Sequence, residues 1–136
     1  PARAASIFLG AMAVLFYFAW LGEVVPALLA GSAPPSVTSA GTPTGAAHVL
    51  DMAWVLPAMG LTAIWLWQER PLAYALAGSL LTFASLMTLA IGAMMVAMRV
   101  YGEPVPLGMA AVFGAVSAAG LGVLVWYMRS LGGRKG

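Results

Sequence analysis

Five ionisable side chains, Glu23, His48, Asp51, Arg99 and Glu103, lie in or beside apolar sequence. An ionisable group at membrane depth is costly, so it marks a ligand site, an ion pathway or a proton relay by default. His48 and Asp51 stand three residues apart, which places them on one helix face that Met52 and Val55 continue. Glu23 shares a face with Phe16 and Trp20. Two carboxylates and an imidazole could pass a proton, hold a small ion, or clamp a polar headgroup or small ligand. Glu23, His48, Asp51 and Arg99 are therefore the candidate ligand or proton-site residues. A plainer reading stands beside this one. Asp51 near a helix start and Arg99 near a helix end each suit the helix dipole, and Glu23 and Arg99 could simply neutralise one another.

Other chemistries are weaker or excluded. Glu23, His48 and Asp51 form the one set with metal-ligand types, and it suits iron or manganese better than closed structural zinc. A single histidine excludes a three-His zinc site and a bis-His haem, leaving only a lone axial His48. With no cysteine there is no thiolate nucleophile and no iron–sulfur ligation. No metal is predicted, and the sequence names no cofactor and no catalytic residue. Ser79 falls near the end of the bundle opposite His48, and Ser117 falls mid-membrane. Ser36 and Ser39 lie in a loop within reach of His48, where serines are common.

What positions these groups is an apolar chain. Of 136 residues, 62% are hydrophobic and 7% charged, too few charges to coat a water-soluble globule. Four apolar segments, 4–29, 46–67, 72–100 and 107–131, have the length that membrane-spanning helices require. Backbone groups in lipid must bond internally, and the alternating pattern of a membrane barrel is absent, so the segments read as helices. The fold class expected is all-α: a polytopic membrane protein forming a four-transmembrane-helix bundle, one domain over 1–136. Segment 31–45, rich in Pro, Gly, Ser and Thr and without charge, reads as an outer loop. Gln68-Glu69-Arg70-Pro71 and Gly102-Glu103-Pro104-Val105-Pro106 read as short turns, which make consecutive helices antiparallel neighbours. At a rise of ~1.5 Å per residue, Glu23 lies roughly 28 Å from Ala4, and Asp51 and His48 roughly 24 and 28 Å from Trp67. Three helices thus bring Glu, His, Asp and Arg to one level.

Orientation follows from the basic residues. Arg3, Arg70, Arg129, Arg134 and Lys135 fall on one side and Arg99 alone on the other, so both termini are expected in the cytoplasm. Topology explains these residues better than nucleic acid does. The chain begins at Pro1 and not Met, so it reads as a processed product or part of a longer protein. Its first segment exceeds a signal-peptide core and reads as a retained helix. The partners expected are membrane lipids and a homo-oligomer or larger membrane complex.

Further patterns concern packing. Ser79, Thr82, Ser85 and Thr88 recur every three residues, a spacing that suits hydroxyls bonding their own or a neighbouring helix. Ala110, Gly114, Ala118 and Gly122 form a small-residue ridge for close helix packing, either inside the bundle, the arrangement favoured because so small a bundle needs every helix to pack, or against another subunit. Pro57 is expected to loosen the backbone just below Asp51. Finally, Ala47-His48-Val49-Leu50-Asp51, after a Leu-Gly-Glu-Val-Val-Pro stretch at Leu21–Pro26, resembles a group of multi-pass bacterial membrane proteins with a His-Val-Leu-Asp signature. The resemblance covers about the first three helices and rests on Glu23, His48 and Asp51. It implies a bacterial inner-membrane protein and no particular activity.

Overall fold

A backbone surrounded by so many apolar side chains satisfies its N–H and C=O groups by coiling on itself. The structure, a computed structural model, describes residues 1–41 and 49–132, with the side chains of 39 and 40 left out. Among the described residues 87% are helical and none lies in a strand. In chain order they form α1 (Ala2–Leu29), the short α2 (Pro35–Ala40), one π-helical turn (Asp51–Val55) leading into α3 (Leu56–Trp67), α4 (Pro71–Val100) and α5 (Leu107–Gly132).

Three helices, α1, α4 and α5, are long and apolar enough to cross a membrane. The fourth expected span is shorter. The 5-residue π turn and the 12 residues of α3 rise about 25 Å together, against a hydrocarbon core of about 30 Å. Positions 46–48 of that expected helix lie outside the described residues.

Three helices end in the same way. At the end of α1, Gly31 N–H donates to Leu28 O (3.1 Å) and Ser32 N–H to Ala27 O (2.9 Å). The same crossed pair closes α4 around Gly102, and both glycines take the positive φ this cap needs. After α3 the position is Glu69, a non-glycine residue at φ 58°. Arg70 N–H to Trp65 O (2.9 Å) and Glu69 N–H to Leu66 O (3.2 Å) hold it there. The turn fits in so few residues because Pro71 starts α4 at once.

The helices pack as two close pairs, α1 with α3 and α4 with α5, and the pairs meet through α3 on α4 and α1 on both α4 and α5. The core comes from Leu9, Met12 and Phe16 of α1, Leu56, Met59 and Leu66 of α3, and the Ala73–Ala77–Leu81–Ala84 row of α4. Hydroxyls stitch each pair. Ser6 donates to Ala63 O (2.6 Å) and Tyr17 to Met52 O (3.1 Å). Ser117 donates to Ser85 O (2.8 Å) and Tyr127 to Tyr74 O (2.9 Å). The distribution is the reverse of a water-soluble protein's. Ser6, Thr62, Ser85, Thr88 and Ser117 are buried, while Phe18, Leu29, Trp54 and Val100 are at least three-quarters exposed.

The packed face of α5 carries Phe113, Ser117, Gly120, Leu124 and Tyr127. A Cβ on Gly120 would collide with Ser85 Oγ of α4 and lie 2.7 Å from Phe8 Cζ of α1. The Ala110–Gly114–Ala118–Gly122 ridge meets α4 only over its first half and through backbone, where a Cβ on Gly92 would stand 3.5 Å from Ala110 O and 3.7 Å from Gly114 N. Beyond that the ridge is exposed, and Gly114 and Gly122 have nothing within 4 Å of a Cβ position. The reason is geometric. Four residues advance an α-helix by about 40° more than one turn, so a strict four-residue row drifts off the contact line.

Candidate functional site

The candidate site begins with Pro57. Proline has no N–H and its ring crowds the carbonyl four residues back. The chain answers by widening into the π turn Asp51–Val55, in which Leu56 N–H donates to Asp51 O. In that register Met52 O would accept from residue 57, which has no proton to give. Tyr17 OH, from α1, supplies the missing bond at 3.1 Å. The irregular backbone is thus fixed in place by a neighbouring helix. Such single π turns recur at functional sites. Asp51 is the first residue of this one, and at 9% exposure it is the buried carboxylate of the molecule.

A second proline shapes the neighbouring wall. Pro26 lies inside α1 and has no N–H for the carbonyl of Gly22, four residues earlier. Gly22, Glu23 and Pro26 line an open pocket of about 620 Å³ closed on its other side by Ser32, Ala33 and Pro35. Glu23 is half-buried, and its Oε1 accepts the N–H of Ser36 at 2.8 Å. That bond ties the start of α2 to α1 and orients the carboxylate, a group with about four acceptor positions. The pocket wall is mostly Ala, Gly and Pro, and Glu23 is its one ionisable side chain. A carboxylate in such a wall, one turn from a proline that leaves the Gly22 carbonyl without its helical donor, suits a cation, a proton or a ligand with an N–H or O–H group.

The other candidates are placed differently. Arg99 is exposed in the last turn of α4 and Glu103 is exposed in the turn that follows. His48 lies outside the described residues, so the set Glu23, His48 and Asp51 is described only in its two acids. Among the described residues no three His, Asp or Glu side chains gather as a metal site would need. Three hydroxyls of the α4 series bond backbone carbonyls: Thr82 to Gly78, Ser85 to Leu81, and Thr88 to Ala84 and Ser85. Ser36 enters the site through its backbone N–H.

Two contributors carried a sequence signal that spacing alone does not assign. Tyr17 is one turn and a half before Glu23, and its role appears only once Pro57 is seen to strip Met52 of a donor. Gly22 enters through the missing N–H of Pro26, an i−4 relation readable from any proline inside a helix. No known protein family, curated protein or solved structure matches this chain.

Proposed function

We propose that this chain is a polytopic protein of a bacterial inner membrane that crosses it four times, with both termini in the cytoplasm. The distribution of basic residues and the likeness at His48–Asp51 support that topology. Its function is to handle a small cation, a proton or a donor-rich small ligand at the outer end of the bundle. The observation that carries this reading is the Glu23 carboxylate in the pocket at Gly22 and Pro26, on the same helix whose Tyr17 braces the π turn of Asp51. In this reading Glu23 receives the charge or proton at the mouth, and His48 and Asp51 accept it from the second helix. Arg99, at the same end, sets the local potential.

The protein reconstituted in vesicles with an internal pH-sensitive dye, challenged with proton, sodium, potassium and ammonium gradients, tests this. Flux or binding lost in Glu23→Gln and His48→Gln, with an unchanged melting midpoint, is the expected result. Activity indifferent to both substitutions overturns it. Topology is checked separately, since the chain has no cysteine of its own. Ser36→Cys should react with an impermeant thiol reagent from outside, and Gln68→Cys and Gly133→Cys should not.

A second reading has its own observation. The exposed Gly114–Ala118–Gly122 row suits a non-catalytic subunit of a larger membrane complex, with α5 as its docking helix. Lower stability in Glu23→Gln and His48→Gln, without any change in flux or binding, favours that reading.

A further inference from the structure

The opposite end of the bundle carries a second concavity, with different chemistry. A groove of about 460 Å³ runs between α4 and α5, with Tyr74, Gly78 and Ser79 on one wall and Leu124, Met128 and Leu131 on the other. It continues past Tyr74 and Tyr127 to Ser130 at the helix ends. Gly78 opens the floor, since a Cβ there would already meet Met128 Sδ at 3.7 Å.

Ser79 is the unusual member. Of the four Ser and Thr hydroxyls on α4, it alone has no carbonyl partner among the described residues, and it is exposed in the groove. A hydroxyl in hydrocarbon normally bonds back to its own helix, so one left pointing outward has use for an external acceptor. Its depth says which. The 30 residues of α4 extend about 45 Å through a core of about 30 Å, leaving roughly five residues beyond the boundary at each end. The boundary then falls near Leu76, with Tyr74 and Tyr127 at headgroup level and Ser79 about 5 Å inside. A phospholipid's ester carbonyls lie at that boundary, and side chains on a helix tilt towards its N-terminus, here the boundary side, so the Ser79 hydroxyl is directed up to them. The groove lining itself holds no arginine, but Arg3, Arg70 and Arg129 are exposed in the helix ends and turn on this side, where Glu69 is the one acid among the described residues. Arg3 is held over the Trp67 ring at 5.8 Å.

We propose that this groove is a binding site for one anionic phospholipid of the surrounding leaflet. Its acyl chain lies along Gly78, Leu124 and Met128, an ester carbonyl accepts from Ser79, and the phosphate is drawn to the arginines at that end of the bundle. The site rests only on the part of the proposed function that puts the bundle in a membrane, and is independent of the outer pocket.

Native mass spectrometry of the detergent-solubilised protein, given equal phosphatidylglycerol and phosphatidylcholine, tests it. The expected result is a preference of at least roughly fivefold for phosphatidylglycerol, the worth of about one basic side chain beside an anionic surface. Gly78→Leu, which fills the groove, should remove the preference. Ser79→Ala, an exposed and mild change, should lower retention about threefold through one lost hydrogen bond. Equal retention of both lipids overturns the site, as does a preference that survives both substitutions. A dimer that dissociates in Gly78→Leu also overturns it, by assigning the groove to a second copy. Protein that stays in solution without detergent defeats the membrane reading itself, whereas a detergent-requiring protein with no lipid preference defeats only this site.

Discussion

The two helix pairs are built alike and differ at one end. In each, a serine and a tyrosine on one helix donate to carbonyls of the other: Ser6 and Tyr17 between α1 and α3, Ser117 and Tyr127 between α5 and α4. The α4–α5 pair is regular throughout, and α5 carries no acidic residue. The α1–α3 pair lacks a helical N–H at Pro26 and departs from the α-helix in the π turn before Pro57, and has a carboxylate near each. The shared stitching is what holds a small apolar bundle together. The added irregularity takes one of those stitches, Tyr17 to Met52 O, and lies where the acids are. The candidate site is thus marked by where a proline removes a backbone donor near an acid.

The sharpest test of the shared part is Gly120→Leu. This glycine is where the two pairs meet, against Ser85 of α4 and Phe8 of α1. Overpacking of this kind costs on the order of 1–3 kcal/mol, and here two helices must move apart. A melting midpoint in detergent close to wild type would show that the pairs are not in contact at this level. Asp51→Leu comes next and tests the part that differs. Removing a buried charged group strands whatever bonds it, at about 1–3 kcal/mol or more, whereas Glu103→Leu, at an exposed position, should stay within about 0.5 kcal/mol. Equal effects at the two positions would make Asp51 an ordinary surface charge.

The tyrosines give a finer comparison. Tyr74 O already has the Gly78 N–H of a regular helix, so Tyr127 adds a second bond to a satisfied acceptor. Met52 O has no such donor, because residue 57 is proline and Leu56 N–H is taken by Asp51 O. Tyr17→Phe should therefore cost about 1 kcal/mol or more, the penalty for leaving a buried acceptor unmet, and Tyr127→Phe about 0.6 kcal/mol. In a Pro57→Ala background, which restores the N–H, the cost of Tyr17→Phe should fall towards that of Tyr127→Phe. Thermal unfolding of the four variants forms the cycle that decides this. Tyr127→Phe proving the more damaging change would remove the basis for treating the π turn as special.

Much of the architecture is legible in the residues because the membrane is a severe solvent. Long apolar runs can only be helices, and Pro71 and Gly102 mark where one must stop and the next begin. Pro57 told where the second helix would loosen, since a missing N–H is a local fact. Less legible was anything that depends on a partner helix. The four-residue ridge of α5 names small residues but not the direction they face, which depends on how far a 3.6-residue helix drifts from a period of four. Gly120, between Ala118 and Gly122 in sequence and so on the opposite face, carries the close contact, and its signal is the company of Ser117 and Tyr127 on one face. Glu69 at positive φ was hidden as well, because the cap needs a left-handed residue and the sequence offers no glycine there. Asp51 and Glu23 stood out as costly charges. Their surroundings, Tyr17 and the Gly22 carbonyl, follow from backbone bookkeeping that needs the register in hand.

The smallest effect belongs to Gly114→Leu, and its size is the informative part. A Cβ at Gly114 meets nothing within 4 Å, and Ala118 and Gly122 continue the same open strip. In a single chain the added isobutyl group has only lipid or detergent to displace, so the melting midpoint should shift by less than about 0.5 kcal/mol. The contrast with Gly120→Leu, six residues away on the same helix, is then a direct measure of which face of α5 the bundle uses. Lipid tails are as apolar as leucine, so a second helix could settle on the strip only through close backbone approach. An isobutyl group in the middle would hold that helix off. A Gly114→Leu variant that keeps its midpoint but elutes from a detergent column at a smaller size than wild type would place another copy on the strip. Loss of midpoint and size together would mean that α5 is held through the ridge after all, and that the α4–α5 pair does not have the face assigned to it here.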